Sequence, residues 1–286
     1  MKPVTGAGTL TIVATPLGNA ADLSPRAAEA LRDADVIVAE DTRSARQLLQ
    51  AGGIAKAPRI LSCFDANEGA RASEVAALLA GGARVALISE AGTPLVSDPG
   101  YRIVAAAIAA GARVVPVPGP SALLAALVAA GLPTDSFLFL GFPPRKPGPR
   151  RRLFESVRAL PFTLVLYESP LRVGATLADL GAALGDGRRA CVARELTKPH
   201  EEIVREDLGA LAARYGADRP LGEVTLVVAG APEDAAEEDL DDAALVERAQ
   251  QLIADGLSTR DAAREIATLT GRQRRDVYKL ITTARG

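Results

Sequence analysis

Cysteine is scarce in this sequence: only Cys63 and Cys191 occur, with no CxxC pair and no neighbouring Cys/His cluster. That excludes a disulfide framework and a cysteine-built metal site, and no metal is expected. Both cysteines sit in apolar stretches that read as strands, so both are expected as buried core thiols. No charged-then-apolar leader precedes the first strand, since MKPVTGAGTLTIV runs straight into it, and a cytoplasmic protein is the expectation. Long apolar runs are missing as well. The longest, such as Ser121 to Leu132, fall short of the roughly 18 residues that would suggest a membrane span. Charge of one sign is also lacking, for the formal net charge is only −2. A polycation that coats nucleic acid by bulk attraction is thereby excluded, and any RNA contact must be local. Arginine outnumbers lysine 28 to 5, a compositional bias that makes a single arginine weak evidence. Finally, no G-x-G-x-x-G follows any strand pattern, which disfavours an ordinary dinucleotide site.

What is present is length and apolar content, 286 residues at 48% hydrophobic, enough for one or two cores without staples. Short β-branched runs alternate with alanine-rich amphipathic segments from the start: TLTIVAT, VIVAE, RILSC, RVALIS and RVVPV. This rhythm predicts a parallel α/β sheet. After the junction VPVPGPSA, a second series follows: FLFLGF, FTLVLYE, ACVAREL, EIVRED and EVTLVVAG. ACVAREL and EIVRED are separated only by a short KPHE turn, so the second sheet is expected to be mixed. Glu233 to Asp242 holds seven acids in ten residues and reads as a solvated linker. Beyond it, three segments with apolar residues at helical spacing are separated by Gly256 and Gly271 and predict a three-helix module. The expected organisation is an N-terminal α/β domain at 1–117, a second α/β domain at 118–232, an acidic linker at 233–243 and a helical module at 244–286.

Several strand ends carry chemistry-bearing residues. TPLGNAADLS (Thr15 to Ser24) can present backbone N–H groups to a ligand or be a plain strand-to-helix turn. Glu40, Asp41, Thr42 and Arg43 stand where a buried strand gives way to a helix; strand carboxyl ends bind ligands in open α/β sheets, a simple helix cap is the competing reading, and Arg43 is expected among the RNA contacts. LISEAGTPLVSDPGYRIV (Leu87 to Val104) is a long loop with two prolines and two carboxylates before a helix, longer and more punctuated than a connection needs. VPGPSA places Ser121 at a helix start on the inter-domain junction. GFPPRKPGPRRRLF packs Arg145, Lys146, Arg150, Arg151 and Arg152 into eight residues. Pro147, Gly148 and Pro149 are expected to keep that segment a flexible arm, and phosphate binding is favoured over mere solubility. The terminal module carries eight Lys or Arg against five Asp or Glu from Ala244 onward. Arg274 and Arg275 lie in its last segment, as part of an RNA clamp or of a dimer-stabilising bundle.

These motifs carry a resemblance. TPLGNAADLS, EDTR, SEAGTPLVSDPG, VPGPSA, GFPPRKPGPRRR, ESPLR and ELTKPHEE, in this order and at these spacings, are similar to the tetrapyrrole-methylase superfamily, and within it to the branch that modifies small-subunit ribosomal RNA. The match spans roughly Gly8 to Ala231, and the acidic linker and helical module resemble that branch's extension. The resemblance implies two α/β domains with S-adenosylmethionine folded into the cleft between them. By motif, Leu17 and Gly18 would line one wall, and Ala91, Gly92, Thr93 and Val96 would hold adenosine and the amino-acid portion. Ser121 and Ala122 would touch the donor from the hinge, and Tyr167 and Leu226 would close it from the second domain. It also implies a homodimer and, as target, the ribose 2′-hydroxyl of a cytidine near the decoding centre of the small subunit. Tetrapyrrole-making relatives have a G-x-G-P-G-type first turn and G-D-P in the third motif; here these are TPLGN and AGTP, a departure that weakens a porphyrin reading. The sequence names no unique base. Among Asp41, Glu90, Asp98, Glu195 and Lys198, the hypotheses are Asp98, in the cofactor loop, and Lys198, in the ELTK turn, with the lone His200 read as a solvent-exposed turn residue. Two other readings compete: methylation of a tetrapyrrole or protein side chain on the same scaffold, and a non-catalytic RNA-binding protein whose terminal helices do the work.

Overall fold

The computed structural model describes residues 8–54, 58–217, 222–232, 242–254, 257–270 and 272–284. All ten expected strands form, in two five-stranded sheets. The first is built from β1 (Thr9–Val13), β2 (Val36–Ala39), β3 (Arg59–Ser62), β4 (Arg84–Ile88) and β5 (Arg113–Val117), in the order β3-β2-β4-β1-β5. Every pairing in it is parallel. Helices α1 (Pro25–Asp33), α2 (Thr42–Ala51), α3 (Glu68–Ala80) and α4 (Tyr101–Ala109) make the crossovers. Leu10, Val38, Val75 and Ile103 pack on one face of the sheet, and Val13, Leu31, Ile37 and Leu49 on the other. This two-sided burial explains why VIVA carries no polar alternation. Helix starts follow local chemistry: Ser24 Oγ accepts from Ala27 N at 3.1 Å with Pro25 beginning α1, and Asp41 Oδ1 accepts from Arg43 N at 2.6 Å at the start of α2.

The chain then crosses through Pro118 to Ser121 into α5 (Ala122–Ala130), which Ser121 caps and Gly131 ends in a left-handed conformation (φ 72°). The remaining strands are β6 (Phe137–Phe139), β7 (Thr163–Glu168), β8 (Arg189–Arg194), β9 (Glu202–Asp207) and β10 (Val224–Val228). Their order is β6-β7-β10-β8-β9, with β6 parallel to β7 and every other pair antiparallel, so the sheet is mixed as expected. One face packs on α5 through Val165, Cys191 and Val227. The other packs on α6 (Pro147–Ser156), α7 (Val173–Leu184) and α8 (Leu208–Ala217) through Phe154, Leu177 and Leu211. Cys63 and Cys191 are both buried and unbridged. Helices α9 (Asp242–Ala254), α10 (Thr259–Thr270) and α11 (Arg274–Thr283) close on a small core of Leu245, Ala249, Ile266, Val277 and Ile281. Most of the expected acidic linker lies outside the described residues, and α9 starts within its last part. Among the described residues, no helix is long and apolar enough to cross a membrane.

The arm expected to stay irregular is a correction. Pro147 opens α6, which runs unbroken through Ser156. Prolines in a first helical turn cost nothing, because their missing N–H groups would have had no intrahelical partner.

Candidate active site

Two loops share one apolar cluster through Val96 and Leu196. The first, Ser89 to Gly100, leaves β4; the second, Glu195 to Glu201, leaves β8. They hold all four non-glycine residues with left-handed backbones among the described residues: Leu95 (φ 71°), Ser97 (φ 70°), Glu195 (φ 51°) and Thr197 (φ 66°). Such conformations cost on the order of 1–3 kcal/mol each and persist only where surroundings enforce them, typically at binding sites.

The enforcing contacts are visible. Thr15 and Gly92 exchange backbone hydrogen bonds at 2.8 and 3.0 Å, joining the β1 and β4 loops. Ser89 Oγ donates to Gly92 O at 3.3 Å, and Thr93 Oγ1 donates to Pro120 O at 2.9 Å, reaching the crossover. A side chain on Gly92 would meet Leu17 at 3.1 Å. Leu17, Val96, Ala122 and Tyr167 converge as partly buried apolar surface on the α5 side of the second sheet. Tyr167 Oη accepts from Leu123 N at 3.2 Å, and its ring meets Phe139 edge-on at 5.0 Å. Leu17, Ala91, Gly92, Thr93, Val96, Ser121, Ala122 and Tyr167 thus share one region. Ser121 is also spoken for as the α5 cap. Leu226 does not join them: it is 1% exposed and packs with Leu166 and Val192 on the α6–α8 face. Register sets Thr225, not Leu226, opposite Tyr167, so the Leu226 side chain is turned away from the cleft.

Gly18 and Lys198 link the two halves. A β-carbon on Gly18 would overlap the Lys198 stem, and the Lys198 ammonium bridges Glu195 Oε1 at 2.8 Å and Glu223 Oε2 at 3.0 Å. Burial alone would lower the Lys198 pKa, but the two carboxylates outweigh it and hold it above the ordinary lysine value. The ammonium is thereby held in its charged form, and in this structure Lys198 ties the two loops together. Gly18→Ala is expected to cost about 1–3 kcal/mol by overpacking. A denaturation series checks this, with the Gly18→Ala, Lys198→Ala double variant less destabilised than the sum of the singles.

Asp98 behaves differently. Its pKa is pushed up to about 6, first by burial, then by the Glu40 charge, with Glu90 and Glu223 adding and a hydrogen bond from Ser89 opposing. Glu40 is raised too, by burial and by Glu90, Asp65 and Asp41. The β2 and β4 ends are thus a negatively charged edge, complementary to a cationic ligand. Thr197 Oγ1, buried and without a hydrogen-bond partner in the described structure, lies in the opposing loop. His200 is an exposed turn residue. Among the described residues no three His, Cys, Asp or Glu gather as metal ligands.

The basic surface is narrower than its sequence suggests. Arg150 is 5% exposed and its guanidinium donates to Asp179 at 2.5 and 2.8 Å, so it is a structural anchor and not a free phosphate ligand. Arg151 also pairs with Asp179, at 2.7 Å, but stays outside at 60% side-chain exposure. Arg145, Lys146 and Arg152 are exposed with no carboxylate in ion-pair range among the described residues, as is Arg43 on α2. On α11, Arg274 and Arg275 are exposed, Arg275 beside Asp276 at 3.8 Å.

Sequence reasoning passed over Glu168, whose buried carboxylate accepts from Ser169 N at 2.6 Å and Thr176 Oγ1 at 2.5 Å and pairs with Arg172 at 2.5 Å. The signal available was ESPLR, whose Glu and Arg stand four apart. It also passed over Glu223, which no local pattern marks.

Comparison with known proteins fits this geometry. The chain is 47% identical over 271 residues, 94% of this chain and 90% of the relative, to a Mesorhizobium japonicum protein named Ribosomal RNA small subunit methyltransferase I. It is 45% identical to a protein of the same name from Synechocystis, across 96% of this chain and 97% of the relative. Among solved structures, that of the methyltransferase CobJ superposes with a TM-score of 0.60 at 24% identity, covering 79% of this chain and 95% of that one, a likeness of fold. Residues 239–285 match the family described as RsmI C-terminal HTH domain. With residues 9–212 matching Tetrapyrrole (Corrin/Porphyrin) Methylases, the chain belongs to the tetrapyrrole methylase family.

Proposed function

We propose that this protein transfers a methyl group from S-adenosylmethionine to small-subunit ribosomal RNA, at the ribose 2′-hydroxyl of a cytidine near the decoding centre, working in the cytoplasm as a homodimer. The observation that carries the reading is the juxtaposition of the strained cleft with cations. Gly141, which opens the basic segment, has a left-handed backbone (φ 63°), and a side chain there would lie 3.4 Å from Ser97 Oγ in the β4 loop. A polyanion held by Arg145, Lys146 and Arg152 therefore runs past the loop that carries Asp98. The homologues' name supports the substrate class.

The site suits the donor. Leu17, Val96, Ala122 and Tyr167 offer apolar walls, Thr197 Oγ1 is a spare polar atom, and Glu40 and Asp98 favour positive charge. When bound, the donor supplies an electrophilic methyl on a sulfonium. The protein's task is mainly to align the ribose oxygen with that methyl, and such positioning is worth roughly 7–11 kcal/mol. Asp98, with a pKa near 6, is ionised at neutral pH and accepts the hydroxyl proton as the oxygen attacks. Lys198, tied to Glu195 and Glu223, keeps the second loop in place.

Tritiated S-adenosylmethionine incubated with unmodified small subunits tests the reading. Label in the RNA, mapped by nuclease digestion and mass spectrometry to a 2′-O-methylcytidine, is expected; label only in a porphyrin precursor or a protein, or none at all, overturns it. Electrostatics adds a second check. Arg145→Ala, Lys146→Ala and Arg152→Ala are each expected to weaken RNA binding and lower the slope of log K against log salt by about 0.7–0.9. Arg150→Ala is expected to reduce stability instead, because it leaves Asp179 short of a partner.

A further inference from the structure

An exposed aromatic ring stands at the cleft rim, beside the Ser97 loop. Phe142 is 56% exposed, although its flanking backbone is clamped: Gly141 O accepts from Tyr167 N at 3.0 Å, and Pro143 O accepts from Arg172 Nη1 at 3.4 Å. Arg172 is itself held by the buried carboxylate of Glu168. The inner side of the ring rests on Tyr167, centroids 5.6 Å apart and planes tilted by 56°. A loop residue so fixed, with its ring tilted against an aromatic and more than half exposed, is a rigid platform and not a frayed tip. Its neighbours complete the chemistry. Gly141 abuts the Ser97 loop on one side, and Arg145 and Lys146 follow on the other.

Resting on the reading above, we infer that Phe142 is a positioning residue that stacks on an unpaired base of the RNA strand while the adjacent cations hold its phosphates. Stacking on an aromatic side chain tolerates any base, because every base has a π-face. RNA recognition of this kind works on splayed-out bases, and a ribose hydroxyl becomes accessible to in-line attack when its nucleotide leaves the helical stack. Phe142 thus fixes the nucleotide laterally, and the arm fixes it along the strand.

The test compares wild type with Phe142→Ala, Phe142→Leu and Phe142→Trp in methyl transfer to unmodified small subunits, with S-adenosylmethionine affinity measured by calorimetry on each. Stacking that acts equally before and during the reaction appears in KM. Phe142→Ala and Phe142→Leu are expected to lower kcat/KM by roughly 5- to 150-fold through KM, with kcat and donor affinity unchanged. Phe142→Trp is expected to retain wild-type kcat/KM. Leucine fills the same space without a π-face, so a Phe142→Leu enzyme with wild-type kcat/KM overturns the inference, as does a loss confined to donor affinity. A wild-type protein that binds donor but puts no label in the RNA instead defeats the functional reading, and the stacking role falls with it.

Discussion

Asp98→Asn is expected to slow methyl transfer by about 10²–10⁴-fold at saturating donor and RNA, while raising the thermal stability of the protein at pH 8. The two effects share one cause. Burial and the neighbouring Glu40 charge lift the Asp98 pKa from 3.8 to about 6, so the folded protein binds this proton more tightly than the unfolded chain. Stability contributed by the protonated group is complete below about 3.8 and is lost as pH rises through about 6. Asparagine never ionises and escapes that loss. The thermal-shift difference between variant and wild type should therefore be near zero at pH 3.5, grow between pH 4 and 6, and level off above. For wild type, kcat/KM should rise tenfold per pH unit below about 6 and then plateau, as a base that must be ionised requires. An Asp98→Asn enzyme within threefold of wild-type turnover would place the base elsewhere.

Asp179→Ala is expected to destabilise the second half by about 3–5 kcal/mol, the consequence of leaving the buried Arg150 guanidinium without its counter-charge. Although burial alone would raise the Asp179 pKa, hydrogen bonds from Arg151 and Arg150 hold it below 3.8. The stability it contributes is present above pH 3.8 and declines as acid drops past that point. A paired replacement, Arg150→Met with Asp179→Leu, should recover much of the loss in denaturant titrations, because it removes the charge instead of orphaning it. The RNA readout separates anchoring from bulk electrostatics. Deleting a carboxylate near a basic patch should strengthen RNA binding if net charge decides. Weaker binding, measured where the variant remains folded, is expected because Asp179 holds the start of α6, and with it Arg151 and Arg152, in place. Tighter binding would refute the anchoring role.

Much of the fold could be read in advance because its strands are short β-branched runs separated by turn residues, and the KPHE turn alone fixes β8 and β9 as antiparallel neighbours. The strand-end loops were legible for a similar reason: Gly92, Pro94, Pro99 and Gly100 cluster where the backbone must bend. Failures came where local pattern is silent. Pro147, Gly148 and Pro149 look like helix breakers, yet they occupy a first turn that does not need their N–H groups. Arg150 cannot be told from Arg151 or Arg152 without knowing that Asp179, twenty-nine residues on, lies beneath it. The direction of Leu226 was hidden because VTLVV is buried at all five positions, so no alternation reveals its facing. Lys198 stands alone in its local pattern; its second carboxylate partner, Glu223, comes from the distant start of β10 and no spacing announces it.

The second sheet ends on β9, which pairs with β8 and, among the described residues, with no strand on its other side. That border carries a row of charged groups: Glu202 beside Arg194 and Arg214, Glu206 beside Arg214, and Asp207 beside Arg189. Such a border resists fibril-like self-templating. Exposed apolar side chains gather instead on helices, with Tyr101 and Ile108 on α4 and Val128 on α5.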